Sequence, residues 1–272
     1  MQANSIRSMA INSFRHNIQN DMQRASQRIA TGARINSAAD DAAGLGIAQA
    51  LEAQIRGLNQ ATRNALDFDS ALSTADGGLE TITSSLIRIR DLSLQASNGI
   101  LTDENRATIQ AEIDQHLDHI SRVTRDTEFN RMRMLDGSFN NMNLQAGPNA
   151  GNNLRVSIAA TTLDGLGMEG FTVLGGANGV IDIAAIDTAI SRVVANRGAI
   201  GAIQNRIEHI VDQNNISAIN MAQAHSRVAD ADIALEMMRL QQARIREQMS
   251  IFSMQNQMER TRANLRFVGI AM

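Results

Sequence analysis

Apolar residues recur at every seventh position in one stretch of this chain, and that repeat constrains the fold more than any other feature. A second apolar line lies three residues after the first, which is the a/d spacing of long helices packed against partners. The two lines are Leu51, Leu58, Ala65, Leu72, Leu79, Leu86, Ser93 and Phe68, Ala75, Ile82, Ile89, Ala96. The repeat predicts a helix from about residue 45 to about residue 97. We expect it to continue through Gly77 and Gly78, because the repeat stays in register there.

The rest of the chain divides at its single proline, Pro148, so both flanks lack the residue that most disrupts a helix. After an Asn98-Gly99 turn, Thr102 is a predicted cap for a second helix that returns antiparallel on the first. Strand, turn and strand are predicted within the Asn- and Gly-rich block from 129 to 181. Heptads then resume with Ile186, Val193, Ile200 and Ile207.

Both terminal segments carry an apolar stripe in steps of three and four residues. The fold predicted from these patterns is mainly α. It has long antiparallel helices, a coiled coil formed by the N- and C-terminal segments, and a small β-hairpin region in the middle. The residues expected to drive self-assembly through the paired termini are Ile11, Phe14, Ile18, Met22, Ile29, Ile251, Met254, Met258, Leu265 and Val268.

Composition argues against several classes of function. The net charge of −3 favours neither nucleic acid nor membrane binding, and an apolar run of the length that spans a membrane is absent. With no cysteine and 3% aromatic residues, the sequence predicts no cofactor pocket. His116 and His119 lie three apart on a predicted helix without an evident third ligand, so we predict neither a metal site nor an enzyme.

Two acidic joints flank the central part of the chain. In the stretch RINSAADDAAGLGIA, Gly32 stands where a helix ends, Ser37 is a predicted cap, and Asp40 and Asp41 fall in the expected first turn of the next helix. Asp230 and Asp232 form a similar pair before the last helix. If the terminal segments pair, the two joints should lie side by side as a connector.

Several stretches together resemble bacterial flagellin, the subunit of the flagellar filament. They are RINSAADDAAGLGIA, QIRGLNQATRNALD, LSLQASNG, TEFNRMRML and RVADADIALEMM, in the order and spacing of that family. The resemblance covers about residues 1 to 145 and 183 to 272. It implies a terminal coiled-coil domain of residues 1–42 and 230–272 in the filament core and a central rod domain of residues 43–229. The block near 136–182 is too short for the family's variable outer domains.

The resemblance also implies partners. Subunits form a homopolymer that is exported through the flagellar type III apparatus without a cleaved signal peptide and ends up extracellular, in the flagellum. A cytoplasmic export chaperone covers the C-terminal segment, and hook-associated junction and cap proteins contact the filament. Some members of the family are sensed by a flagellin-specific Toll-like receptor through an arginine, a leucine and a glutamate, which map to Arg88, Leu92 and Glu112.

Two other readings stay open at the level of sequence. One is a hook-filament junction protein, which shares flagellin-like flanks but joins or caps rather than polymerising. The other is a cytoplasmic coiled-coil binding module, which would be neither exported nor polymerised.

Overall fold

The computed structural model describes the backbone of residues 2–174 and 181–270 and the side chains of residues 9–174, 181–260, 262 and 263. Its helices are α1 (Gln2–Thr31), α2 (Ala42–Ala96), α3 (Asp103–Asp126), α4 (Leu163–Leu166), α5 (Ile183–Ala229) and α6 (Ile233–Ile270). Its strands are β1 (Glu128–Phe129), β2 (Met132–Arg133), β3 (Met142–Gln145) and β4 (Asn153–Val156). The predicted mainly α fold with a small β region is confirmed.

The chain forms two compact units. Unit 1 is Met1–Ala53 with Asn220–Met272, and unit 2 is Gln54–Ile219. Helices α2 and α5 therefore contribute residues to both units. The predicted domain limits at residues 42 and 230 follow the joints between helices, and they stay a prediction.

Helix α2 contains both predicted heptad lines, and their members within unit 2 line its core. Leu72, Leu79 and Leu86 are fully buried, as are Ile82 and Ile89 on the second line. The helix runs without interruption through Gly77 and Gly78, as predicted. Because apolar positions spaced by seven stay on one side of a helix, the repeat keeps this core continuous along α2.

Helices α3 and α5 both run antiparallel to the unit 2 part of α2. For α3, a hydrogen bond joins Arg106 to Ala96, and an ion pair joins Arg88 to Glu112 further along. For α5, Arg90 pairs with Asp187 at 2.6 Å, and Arg197 pairs with Asp76 at 2.8 Å. The apolar residues of α3 and α5 that face α2 join the core, and they include Ile113, Ile120, Ile186, Val193, Ile200 and Ile207.

A threonine cap defines the start of α3, and a glycine turn joins the two strands predicted in the middle block. The Thr102 hydroxyl accepts a hydrogen bond from the Asn105 amide at 3.3 Å, so the predicted cap of α3 is confirmed. Strands β3 and β4 pair antiparallel with Leu144 opposite Leu154, and Gly151 adopts a φ of +89° in the connecting turn. Such a φ strains side-chain-bearing residues, which accounts for glycine at this position.

The block between α3 and α5 is more structured than the sequence indicated. It also contains the one-turn helix α4, which begins after the cap residue Thr162. The β1–β2 ladder, with Phe129 opposite Met132, lies just before the β3–β4 hairpin. Residues 175–180 of the block predicted at 136–182 lie outside the described residues.

Candidate assembly surface

Within unit 1, α1 packs antiparallel on α6 through a seam in which small and polar side chains alternate with larger apolar ones. Ile18 and Ala25 of α1 are buried, and so are Ala243, Ser250 and Glu236 of α6. Small residues allow two helices to approach closely, while providing little apolar area for the contact. The pairing of the two terminal segments is confirmed, but its seam buries few large apolar residues.

The residues predicted to drive assembly occupy mixed positions. On α1, Ile18 is buried, Ile11, Met22 and Ile29 are half-buried, and Phe14 is 53% exposed. On α6, Met254 is half-buried, whereas Ile251 and Met258 are exposed. Leu265 and Val268 belong to α6, but their side chains lie outside the described residues. The predicted residues therefore divide between the α1–α6 seam and the surface, and their part in assembly stays a prediction.

A second apolar line on α6 was missed by the sequence analysis. Its members face away from α1 and are all at least 40% exposed. We call it the outward stripe: Leu235, Met238, Ile245, Met249 and Phe252. Steps of three, four and seven place them on one side of a helix, roughly opposite Glu236, Ala243 and Ser250. The heptad spacing of this line was visible in the sequence. The prediction instead used the apolar series from Ile251 onward, which lies on a different side of the helix.

A buried carboxylate fixes the α1–α6 register near the joints. Glu236 has a side chain only 5% exposed, and its Oε1 accepts from Arg239 at 2.6 Å and from Arg28 of α1 at 3.4 Å. Arg28 also approaches Asp40 at 3.9 Å. A buried carboxylate needs such partners, since burial without them is strongly unfavourable. The network therefore ties α1, the first joint and α6 together.

The two joints lie side by side in unit 1. Ala33 and Asp230 form an antiparallel bridge, in which the Arg34 amide donates to Ala229 at 2.7 Å and the Ala231 amide donates to Gly32 at 2.9 Å. Gly32 follows the end of α1 with a φ of +70°, as expected of a helix C-terminus. The role of the acidic residues as a connector between domains stays a prediction.

The predicted capping at the first joint is wrong in detail. Helix α2 begins at Ala42, and Asp41 caps it by accepting from the Gly44 amide at 2.8 Å. Ser37 instead belongs to a turn before the helix, where its amide and hydroxyl both donate to Asp40 at 3.0 Å. Asp41 lies four positions after Ser37 and directly before Ala42, so its carboxylate reaches an amide in the first turn of α2. At the second joint, Asp232 caps α6 by accepting from Leu235 at 3.1 Å.

The hydrogen bonds and the nearby charge around Asp40 at the first joint lower the pKa of its carboxyl group below the usual 3.8. The hydrogen bond from the Ser37 hydroxyl is the main cause, followed by the amides of Asn36 and Ser37 and the nearby charge of Arg28. Because the folded-state pKa is lowered, the turn is stabilised by this group at pH values above the unfolded pKa. That stabilisation is lost as the pH falls through the folded-state pKa.

We expect the Ser37→Ala variant to raise the pKa of Asp40 toward its usual value, because it removes the strongest donor to the carboxylate. The check is a carbon-detected NMR titration of the Asp side-chain carboxyl groups. Ser138→Ala is a matched control, since Ser138 lowers the pKa of Asp136 by the same hydroxyl-to-carboxylate bond. That control should shift Asp136 and leave Asp40 alone; an unchanged Asp40 in Ser37→Ala would contradict the assignment.

The three residues mapped to receptor contact do not share one surface. Arg88 and Glu112 are exposed and joined by an ion pair of 2.6 Å. Leu92 is 2% exposed and lies in the unit 2 core. The structure thus brings two of the three together on the surface and buries the third.

The described part of the chain has neither a metal-binding cluster nor a membrane-spanning helix. Across residues 2–174 and 181–270, no group of three or more His, Asp or Glu residues is arranged to hold a metal ion. No helix in that part of the chain is long and apolar enough to cross a membrane.

Comparison with known proteins identifies the family of the chain. The family model for the bacterial flagellin N-terminal helical region matches residues 3–140, and the model for the flagellin C-terminal helical region matches residues 183–266. The chain belongs to the flagellin family. A flagellin of Halalkalibacterium halodurans is 36% identical over 251 residues, which cover 91% of this chain and 89% of that protein.

Further flagellin relatives agree with the fold described above. The flagellar filament 30.7 kDa core protein of Treponema maltophilum is 35% identical, with 83% of this chain and 84% of that protein covered. The crystal structure of Bacillus cereus flagellin is 28% identical with a TM-score of 0.51, covering 60% of this chain and 94% of that chain. The resemblance to flagellin noted in the sequence is confirmed, and it places the chain in a family of structural proteins.

A hook-associated protein also shares the fold. A structure from Vibrio parahaemolyticus, described as a flagellar hook-associated protein, aligns with a TM-score of 0.59 at 16% identity. It covers 70% of this chain and all of that chain. At this identity the likeness concerns the fold alone, so the sequence relatives favour a flagellin over a junction protein.

Proposed function

We propose that this chain is a structural subunit that self-assembles into the helical bacterial flagellar filament used for swimming. Unit 1 provides the contacts between subunits in this proposal. The observation that carries it is the outward stripe of α6, on which Met249 is 66% and Phe252 is 63% exposed. Large apolar side chains aligned along one side of a helix are typical of a surface that another protein covers.

The composition of the two faces of α6 supports another copy of this chain as the molecule that covers the outward stripe. The seam against α1 buries Ala243, Ser250 and the charged Glu236, with Leu240 and Met254 half-buried, whereas the opposite side carries exposed Met, Ile and Phe. The exposed apolar side chains of α6 therefore stay available for contacts with other copies. A contact that repeats between different surfaces without closing into a ring generates a helical polymer.

An assembly test follows from these two faces. We expect the double variant Ile245→Asp with Phe252→Asp to remain monomeric, because it places two charges in the proposed contact. The measurement is negative-stain electron microscopy of the purified full-length chain after addition of short filament seeds. Far-UV circular dichroism should be unchanged, since both side chains are exposed in the monomer.

Gln248→Asp with Gln255→Asp is the matched control. Both glutamines are exposed on α6, are seven residues apart like Ile245 and Phe252, and lie beside the outward stripe rather than on it. The control should form long filaments like the unmodified chain. Normal filaments from the Ile245 and Phe252 variant would contradict the proposal, and short stubs from the unmodified chain would favour the junction-protein reading.

Export and further flagellar partners belong to the same proposal. The filament is extracellular, and the subunit reaches it through the type III apparatus. A chaperone that covers α6 before export is supported by the exposure of the outward stripe, because an uncovered apolar stripe favours aggregation. Junction and cap proteins contact the filament at its two ends.

Recognition by a flagellin-sensing Toll-like receptor is supported in part by the exposed Arg88–Glu112 pair. The 2% exposure of Leu92 argues against that side chain as a contact in this fold. The receptor contact proposed here therefore uses Arg88 and Glu112, with Leu92 packing beneath them in the core.

A further inference from the structure

The methionines of this chain range from fully buried to largely exposed. Met134 and Met168 of unit 2 are fully buried, whereas Met238 and Met249 of the outward stripe are 56% and 66% exposed. A thioether reacts with an oxidant only where the oxidant can reach it. The two stripe methionines are thus open to modification in the free subunit, at positions where the proposed function requires an apolar surface.

We infer that Met238 and Met249 are oxidation sites, and that their conversion to methionine sulfoxide keeps the subunit from joining the filament. This inference rests on the proposed function, since it concerns the surface through which subunits associate. It adds a chemical control to that surface: a subunit oxidised before it is incorporated becomes incompetent for assembly.

The reaction needs only a peroxide. The sulfur lone pair of the thioether attacks one oxygen of hydrogen peroxide, an S–O bond forms, and the O–O bond breaks. The departing oxygen leaves as water after proton transfer, so that one thioether and one peroxide give one sulfoxide and one water. Sulfur is oxidised by two electrons and the peroxide is reduced by two.

The fold tolerates this change, while the proposed contact does not. Neither sulfur lies in the seam with α1, which is formed by Ala25, Ala243 and Ser250 among others. Oxidation therefore adds polar oxygens to the surface of a folded monomer. When the stripe becomes buried between subunits, each sulfoxide loses its hydration and finds apolar neighbours such as Ile245 and Phe252.

Assembly should in turn protect the same residues. Once the stripe is covered, the thioethers of Met238 and Met249 are no longer accessible to peroxide, so filaments should react more slowly than free subunits. Met9, 65% exposed on α1, and Met132, 39% exposed in unit 2, lie elsewhere on the chain. Their oxidation should have little effect on assembly.

The experiment treats the full-length monomer with hydrogen peroxide, removes the peroxide, and adds seeds. Peptide mass spectrometry gives the extent of sulfoxide at each methionine, and light scattering with electron microscopy gives the monomer concentration needed for growth. We expect that concentration to rise about tenfold or more on oxidation. Met238→Leu with Met249→Leu should resist the effect, whereas the control Met9→Leu with Met132→Leu should not.

Each outcome decides between the two ideas. Sulfoxide at Met238 and Met249 with unchanged growth would overturn the inference and leave the proposed function intact. Loss of growth in the peroxide-treated Met238→Leu, Met249→Leu variant equal to that of the unmodified chain would also overturn it. Failure of the untreated unmodified chain to extend seeds would count against the proposed function itself. Unreacted Met134 and Met168 show that unit 2 of the oxidised monomer stayed folded, and unchanged far-UV circular dichroism shows that α1 and α6 stayed helical.

Discussion

The Arg106→Met variant should lower the free energy of unfolding of unit 2 by about 2–4 kcal/mol. Arg106 is 2% exposed, and its guanidinium closes the turn between α2 and α3. Nε donates to the Ala96 carbonyl at 3.2 Å, Nη2 to Asn98 at 3.1 Å and Nη1 to Leu101 at 3.0 Å. Methionine fills similar space but donates to none of these oxygens.

The expected cost follows from where those carbonyls lie. Helix α2 ends at Ala96, so the Ala96 carbonyl lacks a partner within the helix and lies at the negative end of its dipole, while the Asn98 and Leu101 carbonyls lie in the turn that follows. A buried cation at that end satisfies them both by hydrogen bonding and by charge. Asp103, the carboxylate 3.6 Å from Arg106, is 95% exposed and contributes little by comparison.

Urea unfolding followed by far-UV circular dichroism measures the effect. Arg122→Met is the matched control, because Arg122 is exposed on the same helix and the same substitution there should change stability by less than about 0.5 kcal/mol. Arg106→Lys keeps the charge but loses the planar guanidinium group. Its free energy of unfolding should lie between those of the Arg106→Met and Arg122→Met variants. Equal stability of the Arg106→Met and Arg122→Met variants would contradict the role assigned to the turn.

The sequence predicted the long helices well because burial repeats along them. The positions spaced by seven on α2 and α5 are those the structure buries, from Leu72 to Leu86 and from Ile186 to Ile207. Such a repeat shows which side of a helix is buried, and it can be recognised without knowing which element packs against that side. The predicted hairpin around Pro148 and Gly151 succeeded for a similar reason, since turn residues act locally.

The exposure of single side chains was harder to predict, because the partner of a helix decides which of its residues are buried. Leu92 was placed at a receptor-contacting surface, but α2 packs against both α3 and α5, and the wider contact buries it. On α6 the apolar pattern did not indicate which side of the helix faces α1. The seam formed on the line of Glu236 and Ala243, because Arg28 pairs with that glutamate and small residues admit close packing.

Arg106 was missed for a related reason. Its signal in the sequence is only an arginine four residues after the Thr102 cap, which is a common place for a solvated charge. What makes it structural is that the α2 carbonyls end beside it, a fact that depends on the geometry of the turn. Sequence patterns locate helices more readily than they locate single side chains that join helix ends.

Adjacent glycines in α2 should respond in opposite directions when each is replaced by leucine. Gly77→Leu is expected to stabilise unit 2 by up to about 1 kcal/mol, because leucine is a much better helix former and nothing lies within 4 Å of the added Cβ. Gly78→Leu is expected to destabilise it by about 1–3 kcal/mol, since the added side chain overpacks the core.

The difference arises from what Gly78 faces. A Cβ there would lie 2.7 Å from the Thr127 Oγ1 and 2.9 Å from the Leu135 Cδ1. Thr127 cannot move freely, because its hydroxyl donates to the Val123 carbonyl at 2.7 Å. Its amide donates to the same carbonyl at the end of α3. Leu135 is fully buried. Side chains larger than hydrogen at Gly78 must therefore displace the end of α3 or the segment after β2.

The pair of variants is its own control, as both substitutions change the same residue type in the same turn of the same helix. The urea concentration at the unfolding midpoint should be higher for Gly77→Leu and lower for Gly78→Leu than for the unmodified chain. If both variants were stabilised, helix propensity would dominate and the close approach at Gly78 would be a minor constraint. If both variants were destabilised, the result would indicate that another part of the folded monomer covers α2 at Gly77. Opposite shifts would mean that Gly78 admits close packing of α3, while Gly77 only weakens the helix it belongs to.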